Sequence, residues 1–117
     1  RCVVSEGSGR VRINNVPIEI LTPEIVRLKI MEPMVLAGDK ASKVDVSVNV
    51  QGGGFMGQAE ATRTAIAKGL VEFLKDEELE RLFKDYDRSL LISDPRRKLP
   101  KKPLGRGARK KRQKSYR

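Results

Sequence analysis

VDVSVNVQGGGFMGQAEATRTAIAKGL, residues Val44 to Leu70, is the stretch that decides the fold. Val44, Val46, Val48 and Val50 alternate with Asp45, Ser47, Asn49 and Gln51. A period of two with β-branched residues on one side marks a strand from Val44 to Gln51, packed on one face and wet on the other. After the glycines the period changes. Ala59, Thr62, Ile66, Leu70 and Phe73 recur at helical spacing, with Glu60, Thr64, Lys68, Glu72 and Lys75 on the opposite side. Gly57 to Lys75 is therefore expected to be the longest helix, held to the core by one apolar stripe.

Outward from this pair, the chain continues to alternate between extended and helical signals. Arg1 to Glu6 and Val11 to Ile13 read as strands, separated by the turn Gly7-Ser8-Gly9. Asn14-Asn15 suits a second tight turn because Asn tolerates positive φ. Val16 to Leu21 reads as extended, with Pro17 excluding a long central strand. Thr22 as N-cap, Pro23 at the first helical position and Glu24 in the first turn announce a helix. Its stripe is Ile25, Leu28 and Met31, and Pro33 is expected to stop it, with Met34 to Ala37 forming one further turn. Asp76-Glu77-Glu78 opens a short helix with the stripe Leu79, Leu82, Phe83 and Tyr86, and Leu90-Leu91-Ile92 is a last apolar anchor. The expected fold is α+β, a small antiparallel or mixed sheet with helices packed on one face.

The 117 residues hold 25 Lys+Arg against 15 Asp+Glu, a net charge of +10. Its distribution is uneven. Residues 95–117 contain 12 basic residues and no acidic one, so the other 94 residues keep 13 bases against all 15 acids. Two domains are expected on this ground: a near-neutral globule over 1–94 and an extended basic tail over 95–117. Like-charge repulsion, three prolines and a shortage of apolar residues prevent the tail from building a core of its own, and extended it spans on the order of 75 Å. Such segments order on a polyanion; the alternative is a solubilising or localising tail. RNA is favoured over membrane because no amphipathic helix or lipid anchor accompanies the charge.

Other classes fall away on composition. There is no His and one Cys, which removes Cys/His zinc sites, disulfides within the chain and His-based triads. Cys2 alone fits a reducing, cytoplasmic setting. No run of about 18 apolar residues occurs. Asp85 and Asp87 flank Tyr86 on an expected solvated loop, and nothing sets two carboxylates across an apolar cleft. No metal, cofactor, small-molecule substrate or catalytic residue is expected.

Gly52-Gly53-Gly54-Phe55-Met56-Gly57 matches G-x-G-x-x-G between a strand and a helix. A dinucleotide site would need a second parallel strand after the helix, ending in an acidic residue. A second helix follows instead, and no G-K-[ST] is present. Two readings remain: the glycines serve a sharp turn and close backbone packing, or the bare amides at the helix N-terminus seat an RNA phosphate.

GGGFMGQAEATRTAIAKGL (Gly52 to Leu70), SDPRRKLPKKPLGRGARKK and the terminal QKSYR together resemble the small-subunit ribosomal protein nine family in its archaeal or eukaryotic form. The G-G-G-x-x-G-Q-A-x-A-x-R core falls on Gly52, Gly53, Gly54, Gly57, Gln58, Ala59, Ala61 and Arg63, and VRINN and EPMVLAG match as well. The resemblance implies a left-handed βαβ crossover, against the usual handedness, and a place in the head of the small ribosomal subunit. Its implied partners are small-subunit rRNA, peptidyl-site tRNA and neighbouring head proteins. Expected rRNA contacts are Gly52, Gly53, Gly54, Gln58 and Arg63 from the globule. From the tail they are Arg96, Arg97, Lys98, Lys101, Lys102, Arg106, Arg109, Lys110, Lys111, Arg112 and Lys114. Tyr116 and Arg117 are the expected tRNA contacts; many bacterial members have Lys where this chain has Tyr116. The rival readings are a free-standing RNA chaperone and a small nucleotide-binding enzyme using the glycine loop.

Overall fold

A computed structural model describes residues 1–116. Four strands form one sheet: β1 (Cys2–Glu6), β2 (Val11–Ile13), β3 (Val16–Pro17) and β4 (Val44–Val48), in the spatial order β1-β4-β2-β3. β4 pairs antiparallel with β1, Val46 opposite Val4, and parallel with β2, Val46 opposite Val11. The sheet is mixed, and α1 (Glu24–Ala37) lies in the crossover between the parallel neighbours β2 and β4.

The alternating valines account for the central position of β4. Val44, Val46 and Val48 are buried while Ser47 is exposed, the pattern of a strand covered on one face. The strand ends at Val48, short of the expected Gln51. Asn14 and Asn15 both take positive φ, 51° and 66°, the mirror-image turn that suits a two-residue hairpin. Beyond it only Val16 and Pro17 are extended; Ile18–Ile20 winds into a 3-10 turn that buries Ile18. Pro17 thus lies on the sheet edge, where its missing donor costs no ladder bond.

The sheet carries its helices on the valine face. α2 (Phe55–Leu74) lies over β1 and β4, α1 runs alongside α2, and α3 (Glu77–Tyr86) packs against both helices. α2 begins two residues earlier than expected and is capped at its C-terminal end by Lys75 in the left-handed conformation, φ 51°. The core joins Ile66 and Leu70 of α2, Ile30 of α1, Phe83 of α3 and Leu90, all essentially inaccessible. Asp76 caps α3 as expected, its carboxylate accepting from the amides of Glu78 and Leu79.

Expectations on all three helices are corrected. Pro23, not Thr22, is the N-cap of α1, and Pro33 lies inside that helix instead of ending it. Ile25 and Leu28 are 61% and 60% exposed, whereas Val26, Ile30, Pro33, Met34 and Ala37 face the core. Burial of Pro33 and its neighbours offsets a break that in isolation costs about 3 kcal/mol. On α2, Phe73 is turned outward while Ala67 is buried; on α3, Leu82 and Tyr86 are exposed, leaving Leu79 and Phe83 to hold the helix.

A 3-10 turn at Arg88–Leu90 closes the packed body, with Leu90 inserted in the core and Ile92 left exposed. From Pro95 to Tyr116 the chain forms no helix or strand. The radius of gyration is 18.7 Å, against about 13 Å for a compact chain of this length. The longest dimension, 69 Å, is more than twice the next, 30 Å.

Candidate nucleic-acid interface

The glycine turn is held from two sides. Asn14 donates from Nδ2 to the Val50 carbonyl at 3.0 Å, and the Val50 amide donates back to Oδ1 at 2.9 Å. The hairpin side chain therefore continues the sheet's pairing up to Val50, two residues before the turn. On the other side Gln58 Nε2 donates to the Gly52 carbonyl at 3.0 Å. Between these anchors Gly52 and Gly53 take φ of 80° and 71°, which favour glycine over any side chain. Gly54 is the N-cap of α2 and brings no capping side chain.

A Cβ placed on Gly52, Gly53, Gly54 or Gly57 would meet nothing within 4 Å. The turn half of the expectation holds at Gly52 and Gly53; the close-packing half is corrected, because all four glycines border open space. What remains is a bare helix N-terminus of a 20-residue helix, whose unpaired amides and dipole favour an anion.

Beside this turn, a half-open groove of about 720 Å³ runs along the outer face of α2. Gly57, Ala61 and Ala65 give it a floor of small residues; Lys29, Arg63, Lys68 and Arg96 line it together with the carboxylates of Glu60, Asp87 and Asp94. Lys29 is held by Glu60 at 3.0 Å, Lys68 lies 3.4 Å from the Ser93 hydroxyl, and Arg96 is gripped by Asp94 at 2.6 Å. Lys29 and Lys68 escaped the list of expected contacts. They sit on different helices, far apart in sequence, and only the packing of α1 on α2 brings them to one groove.

Arg63 is placed differently from the other expected contacts. It is 8% exposed, and its guanidinium lies 2.6 Å from Glu32 of α1 and 2.9 Å from Asp87. Burial by itself would lower the pKa of Arg63; the hydrogen bond to Asp87 and the charge of Glu32 outweigh it and hold the pKa above the ordinary guanidinium value. Asp87 is held below the usual carboxylate range, first by the Ser89 amide and then by Arg63 and the Ser89 hydroxyl. Asp87 is thus a paired cap and not the solvated loop residue expected from the sequence.

The tail is the most open part of the surface. Arg97, Lys98, Lys101, Lys102, Arg106, Arg109, Lys110, Lys111, Arg112 and Lys114 are all exposed, and among the described residues none of the ten forms an ion pair. The chain bends back over residues 103–109, where Leu104 takes φ 64° and Gly105 lies against the Lys110 carbonyl. Only a glycine leaves room for that approach. Tyr116 is 91% exposed; Arg117, the other expected tRNA contact, lies outside the described residues.

A family model described as ribosomal protein S9/S16 matches residues 1–117. Among curated proteins, small ribosomal subunit protein uS9 of Thermoplasma volcanium is 59% identical over the whole chain, which covers 89% of that relative. The uS9 proteins of Picrophilus torridus and Methanothrix thermoacetophila are each 54% identical, again over the whole chain and over 88% and 89% of their lengths. The similarity takes in body and tail together.

Proposed function

The chain belongs to the ribosomal protein S9/S16 family, and on that premise we propose that its globule docks on small-subunit rRNA while its basic tail follows the RNA to peptidyl-site tRNA. As a member of that family it is a structural, non-enzymatic component of the small subunit of the cytoplasmic ribosome. The finer reading concerns which parts of the chain meet RNA.

The division of charge is the observation that carries it. Twelve cations and no anion lie in residues 95–117, and the ten cations from Arg97 to Lys114 have no partner within the described chain. Each phosphate neutralised releases condensed counterions, so a segment of this kind gains most of its binding free energy from RNA. Its ordering takes place on the partner. The turn at Gly52 to Gly54 and the Lys29, Lys68 and Arg96 groove form the second contact, with Gln58 fixing the turn. Small residues allow an RNA backbone to lie close to α2, and the helix N-terminus accepts a phosphate. Tyr116 and Arg117 add a contact to tRNA that stabilises it without reading its sequence. The head of the subunit, with its neighbouring proteins, is the site of docking.

Co-sedimentation tests the assembly claim. Tagged chain mixed with small subunits lacking it should sediment at one copy per subunit and stay bound at moderate salt. Binding of many copies to any RNA, released together by moderate salt, would favour the free-standing chaperone instead. Equilibrium dialysis against ATP and NAD should show no retention; saturable binding of either would revive the glycine-loop enzyme.

A further inference from the structure

We propose that Arg63 is a positioning residue that sets the direction in which the basic tail leaves the globule, and that it does so without touching RNA. The proposal rests on the tail being the main RNA contact. Arg63 stands in the middle of α2, and its planar guanidinium reaches three elements at once: Glu32 on α1, Asp87 at the end of α3, and the Ser89 hydroxyl at 3.4 Å in the 3-10 turn. Asp87 in turn caps that turn through the Ser89 amide and hydroxyl at 2.9 and 2.8 Å. The contacts then advance along α2 in chain order. The Thr64 hydroxyl lies between the Glu60 carbonyl at 3.1 Å and the Ser89 carbonyl at 3.4 Å, with one hydrogen to share between them, and Lys68 donates to Ser93 at 3.4 Å. Pro95 follows two residues later.

The apolar part of this attachment is Leu90, inserted in the core, with the half-buried Leu91 packed against it and Ile92 exposed. Two adjacent leucines anchor the segment but leave the course of the chain beyond them to polar contacts. The directional restraint is polar, and Arg63 is its centre: Nη2 and Nη1 donate to Asp87 and Ser89 while Nε pairs with Glu32 by charge, a planar group serving three elements. Arg63 borders the groove but is only 8% exposed, and the carboxylates of Glu32 and Asp87 beside it oppose the approach of a phosphate. A tail launched in one direction loses less freedom when it meets RNA, so the restraint acts as preorganisation.

Spin labels test this in the intact chain. In a Cys2→Ser background, labels at Ser47→Cys on the open sheet face and Leu99→Cys in the tail report the launch direction without RNA. Arg63→Met should broaden the distance distribution clearly, and Arg63→Lys should broaden it less. Asp87→Asn keeps a capping side chain and removes only the ion pair, so it should broaden the distribution too if Arg63→Met fails to fold. With purified small-subunit RNA, Arg63→Met should bind about tenfold more weakly while keeping the wild-type slope of log K against log salt. An unchanged distance distribution in folded Arg63→Met would overturn the proposal. A slope shallower by about 0.7 to 0.9 would overturn it as well, because that is the signature of one lost phosphate contact. The distances are read without RNA, so they stand even where wild-type chain fails to bind RNA and the functional reading falls.

Discussion

Gly69 of α2 lies directly on Val4 of β1: a Cβ at Gly69 would come within 2.9 Å of Val4 Cγ2 and 3.5 Å of Cys2 Sγ. The helix can rest this low on the sheet because that position carries no side chain. Gly69→Ala gains helix propensity of about 1 kcal/mol but overpacks a contact with a stiff β-branched neighbour, at about 1 to 3 kcal/mol. We expect a net loss of about 1 kcal/mol in denaturant unfolding. A net gain would mean that the helix can lift from the sheet freely.

Gly57 is the opposite case on the same helix. Nothing within 4 Å opposes a Cβ there, so Gly57→Ala should stabilise the folded chain by about 0.5 to 1 kcal/mol. The same methyl stands on the floor of the groove, and it should weaken binding to small-subunit RNA. Stabilisation with unchanged RNA affinity would remove Gly57 from the interface.

Acid should weaken the body through its depressed carboxylates. The folded pKa of Asp87 lies below its unfolded value, as do those of Asp45 and Asp76, Asp76 through its contact with Lys40. Their contribution is therefore complete above the unfolded value of about 3.9 and disappears as pH falls through the lower folded values. The urea midpoint should hold between pH 7 and 5 and drop below about pH 4. Asp87→Asn should lose about 1 kcal/mol at pH 7, the scale of a charged hydrogen bond screened by partial exposure, and show a shallower acid decline. Parallel curves for the two proteins would assign the decline to other groups.

Arg117→Ala should leave assembly of the small subunit normal and speed the loss of peptidyl-site tRNA from it, as measured by tRNA dissociation from programmed subunits. An assembly defect with unaltered tRNA dissociation would contradict the assignment of the terminal residues to tRNA.

The sheet and its turns were legible because their signals are local: the valine alternation of β4, the Asn14-Asn15 hairpin and the Asp76 cap each depend on neighbouring residues. The inward face of α1 was not. Ile25, Leu28 and Met31 make one apolar stripe at helical spacing, and Val26, Ile30, Met34 and Ala37 make another. Only the position of α2 chooses between them. Arg63 was legible as a feature of the glycine segment but not as a buried ion-pair centre, because Glu32 and Asp87 lie 31 and 24 residues away. The tail, whose character is compositional, could be read directly.

Removal of residues 95–117 tests the central claim most directly. The buried core ends at Leu90, so the truncated chain should unfold cooperatively with nearly the intact stability. With about eight tail cations on phosphates, the intact chain should bind small-subunit RNA with a log K against log salt slope near −6, at roughly −0.7 per single-strand contact. The truncated chain should lose most of that slope. A folded, truncated chain that keeps a slope near −6 would contradict the account, because the RNA affinity would then belong to the globule.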